Sequence, residues 1–146
     1  MKPSNPLKHF LWAFIIALVL YLVAYKWIEH RRTRNGPWDV TFNAGNGKVV
    51  LLIQQPALKI QNVRLVFEDA KAQTSSAQQW RFSDARAVPF NVPFGKCVFQ
   101  DTTFLPGNVT FELFGHEIQL LPRVLTIDTK EIPWQSNTNI LVRPKE

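Results

Sequence analysis

From Phe10 to Tyr25 the chain runs sixteen residues without a charge. Lys26 interrupts the run, but its methylene stem lies along apolar surface while the amine reaches outward. Counted to Ile28 the stretch is nineteen residues. As a helix that is roughly 28 Å, close to the ~30 Å hydrocarbon core of a bilayer. No other stretch of the 146-residue sequence restricts the fold as strongly.

A cleaved signal peptide has a shorter apolar region and a small-residue site. Cleavage after Ala24 would place Leu22 at the −3 position, where it is too large, and Tyr25, Lys26 and Trp27 continue the helix. Phe10 and Trp12 stand at one end and Tyr21, Tyr25 and Trp27 at the other, the pattern of two interfacial aromatic belts. The reading is a retained signal-anchor: tail 1–9, transmembrane helix 10–28, basic juxtamembrane linker 29–37, β domain 38–146. Ala13 and Ala17 form a small-xxx-small pair of the kind that lets helices approach, though alanine is common in such segments. No charge lies within the run, so an ion or proton pathway has no support.

The charge balance belongs to the anchor. The net charge is +6, and Lys2, Lys8, Lys26, Arg31, Arg32 and Arg34 all flank the helix. From Asn35 onward eleven bases face ten acids, so the rest of the chain shows no basic nucleic-acid face. Lys26, Arg31, Arg32 and Arg34 are placed to meet lipid headgroups. Orientation draws on two opposed signals. Basic residues are denser after the helix, which favours a cytoplasmic domain. A small β domain tethered at its N-terminus is the build of an extracytoplasmic module, and the expectation follows that build: single-pass, with the β domain on the periplasmic side.

After Pro37 the period changes to two. Trp38, Val40 and Phe42 alternate against Asp39, Thr41 and Asn43. Asn46-Gly47 is a hairpin turn before Lys48–Gln54, apolar on both faces and so central. Asn62–Glu68 alternates again. Asp69–Gln78 reads as an exposed loop, and Gln79–Phe82 as a strand with Trp80 and Phe82 inward. Val88–Gly95 repeats Val-Pro-Phe, and its two prolines confine it to a sheet edge or loop. Lys96–Asp101 places Cys97 and Phe99 inward. Asn108–Phe114 is the cleanest strand, followed by a turn at His116 and strands over 117–121, 123–128, 131–134 and 139–142. Eight to ten short strands with frequent turns predict an antiparallel β-sandwich or small barrel, Ig-like in general architecture.

Chemistry is sparse. One cysteine excludes an internal disulfide. Cys97 reads as a small buried hydrophobe. His9 and His30 flank the helix, and His116 stands alone in the β domain. No spacing suits a metal, no glycine-rich loop cradles a phosphate, and Asp84, Asp101 and Asp128 fall near turns where Asp is favoured. The expectation is a non-enzyme without cofactor or metal. Asn108-Val109-Thr110 is a glycosylation sequon only in a chain that passes through a eukaryotic secretory route.

The segment best suited to contact is Val88–Gly95. Phe90, Pro93 and Phe94 are pre-extended by proline, with Trp80 and Trp134 as neighbours; such groups lose little entropy on binding. The alternative is that both phenylalanines plug the end of the sandwich. The layout resembles that of accessory and assembly proteins of bacterial envelope complexes, in architecture alone. The expected partners are the lipid bilayer and a membrane protein, with an accessory, assembly or scaffolding role. A surface module binding lipid or glycan is the second reading.

Overall fold

The computed structural model describes residues 3–72 and 75–145, and the chain divides into two units, one ending at Arg34 and the other beginning at Asn35. Lys2 and Glu146, and residues 73 and 74 of the expected loop, lie outside the described residues.

The first unit is a single helix, α1 (Pro6–Thr33). Pro6 suits its first position because the amide hydrogen it lacks has no partner there. His30, Arg31 and Arg32 occupy the last turn, where the helix dipole favours cations. None of its residues is buried, and it is long and apolar enough to cross a membrane. The helix exceeds the apolar run at both ends. Residues 29–33, expected as linker, form its final turns, steadied by an Arg32–Glu29 ion pair at 2.7 Å. Gly36, at φ +73°, lies beyond the end.

The second unit is all-β. Its strands are β1 (Asp39–Gly45), β2 (Lys48–Gln55), β3 (Ile60–Phe67), β4 (Ser75–Arg81), β5 (Phe90–Val92), β6 (Gly95–Asp101), β7 (Asn108–Leu113), β8 (His116–Leu120), β9 (Val124–Ile127), β10 (Lys130–Pro133) and β11 (Asn139–Val142). They form a five-stranded sheet, β11-β3-β2-β1-β4, and a six-stranded one, β10-β9-β8-β7-β6-β5. All pairings are antiparallel except β11 with β3.

The two sheets share one core. Val40 and Phe42 of β1, Leu51 and Ile53 of β2, and Leu65 and Phe67 of β3 meet Cys97, Phe111, Leu113, Ile118 and Leu125 of the other sheet. Phe111 stands edge-on to Phe42 at 6.0 Å and to Phe82 at 5.3 Å, tying the sheets at their middle. β2 is central, but only one of its faces is buried; Val50 and Leu52 lie half-buried on the other.

Turn chemistry sets the hairpins. Asn46 and Gly47 both take positive φ, as do Asp128 and Thr129, and each pair closes a two-residue turn whose twist matches its strands. Gly95 answers a packing need: a Cβ there would stand 2.1 Å from the Glu112 carbonyl oxygen.

Three local expectations are corrected. The polar stretch expected as a loop through Gln78 becomes β4 from Ser75, because β1 offers a free edge to pair with and pairing does not require alternation. Phe99 points outward and is 49% exposed. Between Cys97 and Phe99 the register slips by one residue against β7, and the bulge turns the following side chains to the other face. His116 opens β8 as a buried residue where a turn was expected.

Candidate functional site

The structure separates the residues expected to make contact into three places. Trp80 and Phe90 come together: β4 is the edge of one sheet and β5 the edge of the other, and on that open side the two rings stack at 6.4 Å and 8°. Phe94 turns away, at φ +70° in the β5–β6 hairpin beside Pro93, and stacks on Phe114 at 6.3 Å. Trp134 packs on Trp38 at 5.3 Å, and its Nε1–H donates to the Leu121 carbonyl at 2.8 Å. Trp134 is therefore committed to the end of the sandwich where the chain arrives from the helix.

Arg86, which sequence reasoning passed over, completes the Trp80–Phe90 pair. Its guanidinium lies 4.5 Å from the Phe90 ring centre and 5.8 Å from that of Trp80. Its signal in the sequence was slight: one base four residues before Phe90, in Asp84-Ala85-Arg86-Ala87. These groups line a recess of about 190 Å³ with Arg81, Asp84 and Gln100. Gln100 Nε2 donates to the Asp84 carbonyl at 2.8 Å, while its Oε1 is buried and accepts nothing. A buried acceptor without a donor costs about 1–3 kcal/mol. The recess thus offers a cation held on two aromatic faces.

A separate group of titratable side chains centres on His116. His116 Nδ1 and Asp128 Oδ2 are 2.5 Å apart, and His116 Nε2 and the Arg143 carbonyl oxygen 2.6 Å apart. Lys145 Nζ reaches Asp128 at 3.0 Å, and the Lys145 amide donates to the Phe114 carbonyl at 2.9 Å. The cluster fastens the chain's own C-terminal stretch onto β8, beside a recess lined by Glu68, Asp69, Lys71, Phe114 and Lys145.

Asp128 is held well below the usual carboxylate range, at about 2, chiefly because the Glu117 amide donates to it, with His116 and Lys145 adding to the effect. Unfolded, the same carboxyl titrates near ~3.9. Its contribution to stability is complete above about pH 4 and disappears as the pH falls toward 2. Urea titrations between pH 2 and 5 are expected to show this loss, and Asp128→Asn to flatten it; an unchanged acid limb in the variant would refute the assignment.

Cys97 is fully buried, with its Sγ–H directed at the Phe99 carbonyl at 3.4 Å, and burial pushes the thiol up to about 11. Too little thiolate exists near neutrality to react. Iodoacetamide at pH 8 is expected to leave the folded protein unmodified and to label Cys97 once guanidinium unfolds it. Rapid labelling without denaturant would show the site to be open.

On the helix, Phe10, Trp12, Tyr21, Tyr25 and Trp27 are each more than half exposed. Tyr21 stacks on Tyr25 at 6.3 Å, and Arg31 lies over Trp27 at 4.9 Å. Lys26 and Arg32 belong to the helix and Arg34 caps it.

No protein-family model matches the chain, and no curated protein or solved structure matches it.

Proposed function

We propose that the chain is a single-pass membrane protein whose β unit serves, without catalysis, as an accessory, assembly or scaffolding component of a membrane complex. The observation that carries the reading is the Trp80–Phe90 pair under the Arg86 guanidinium on the open side of the sandwich. Aromatic and arginine side chains of this kind supply much of the binding energy at protein interfaces. The unburied apolar helix supports the anchoring half of the reading, with lipid as the solvent for its sides. In this reading the β unit lies on the extracytoplasmic side, the side on which small N-terminally tethered β modules are built to work.

Extraction in mild detergent followed by native electrophoresis is expected to show the protein migrating within a larger complex. A free monomer under conditions that preserve other membrane complexes would overturn the reading. External protease is expected to degrade the β unit in spheroplasts; degradation only after lysis would put it in the cytoplasm.

A further inference from the structure

Each sheet has two edges, and three of the four edge strands are guarded. β5 is three residues long between Pro89 and Pro93. β10 has four residues, begins Lys130-Glu131 and ends on Pro133. β11 has four residues and is followed closely by Pro144. β4 is seven residues long, contains no proline and carries no charge before Arg81. Natural sheets blunt such edges because the free amides and carbonyls recruit another strand. On its inner face Gln78 pairs with Phe42 and is exposed, while Trp80, two residues on, packs against Phe42 and against Phe90 of the other sheet. Beside this edge stands the Arg86 recess. Asp84 lines the recess with Arg86, yet Arg86 forms no ion pair with a carboxylate among the described residues.

We propose that β4 is the docking edge of this protein, and that its occupant is an extended segment of a partner protein bearing a carboxylate that pairs with Arg86. The segment adds to the sheet as a further strand, taking its affinity from main-chain hydrogen bonds and its selectivity from the neighbouring side-chain recess. A carboxylate is the complement of a guanidinium laid over two ring faces and left exposed. This inference rests on the reading of the chain as a partner-contacting component.

A second copy fits less well. Its own β4, Ser75–Arg81, holds no Asp or Glu, so pairing β4 to β4 would bring no carboxylate on the added strand to Arg86 and would set Arg81 into the contact as a further cation.

The test uses the full-length chain in its own membranes, with photoreactive benzoylphenylalanine replacing Gln79 on β4 or, as a control, Gln119 on β8. The expected result is an adduct from position 79 that maps to an extended segment of another protein, with Asp or Glu within two residues of the joined position. Arg86→Glu is expected to cut its yield at least about tenfold, while Arg86→Lys retains most of it. An adduct with this chain's own residues 75–81, one with lipid alone, one with a segment lacking a carboxylate, or one indifferent to Arg86→Glu would each overturn the proposal. No adduct at position 79 in a protein that still migrates within a larger complex would sink the docking edge and leave the accessory reading standing. Migration as a free monomer would sink both.

Discussion

Replacing Phe111 with alanine is expected to cost the β unit about 3–5 kcal/mol. The ring is fully buried on β7, edge-on to Phe42 of the facing sheet and to Phe82 beyond β4. Truncation removes the apolar transfer energy of the ring and leaves a void that two stacked sheets cannot close without bending. Against a typical stability of about 5–15 kcal/mol, this is a third or more of the whole. Denaturant titration followed by the fluorescence of Trp38, Trp80 and Trp134 measures it directly. Phe111→Leu keeps most of the volume and is expected to lose about 1.5 kcal/mol or less. A loss below about 1 kcal/mol for the alanine variant would show that Phe111 does not join the sheets.

Val19→Arg is the second large effect. Val19 lies at the middle of the apolar run and is 52% exposed on the helix. Placing arginine at the centre of a spanning helix costs about 2.5–3.5 kcal/mol on the insertion scale, a shift of roughly a hundredfold. The carbonate-resistant membrane fraction is expected to fall accordingly, and Val19→Leu to leave it unchanged. A variant that stays in the pellet as well as wild type would contradict a spanning helix.

Both sites were legible in the sequence because each rests on a local period. Phe111 stands in the cleanest alternation of the chain, and Val19 in its longest charge-free run. The Asn46-Gly47 hairpin was legible for a similar reason: positive φ at both central positions is a demand that few residue pairs meet. What escaped was tertiary. Nothing in Ser75–Gln78 alternates, and those residues are a strand only because β1 needs a neighbour. The slip beside Val98 leaves no mark in composition, yet it exposes Phe99. The expected contact set divided because Trp134 finds Trp38, nearly a hundred positions earlier in the sequence, while Arg86 and Gln100 meet Trp80 and Phe90 only through the stacking of two sheets. His116 likewise depends on groups 12 and 27 positions away.

Gln55 has a consequence for how far the β unit can wander. Its buried side-chain amide donates to the carbonyls of Gly36 at 2.9 Å and Pro37 at 3.0 Å, and its oxygen accepts from the Ala57 amide. The helix continues to Thr33 and Arg34 caps it through its amide on the Arg31 carbonyl, so Asn35 alone separates the capped end from the held Gly36. Three Cα–Cα steps from Thr33 to Gly36 span at most about 11 Å, less than half the roughly 25 Å available to a seven-residue linker. On the proposed anchoring, so short a connection filters partners before any side chain does: a soluble protein pays the full entropy of capture, whereas a segment carried by a neighbour in the same bilayer arrives already concentrated.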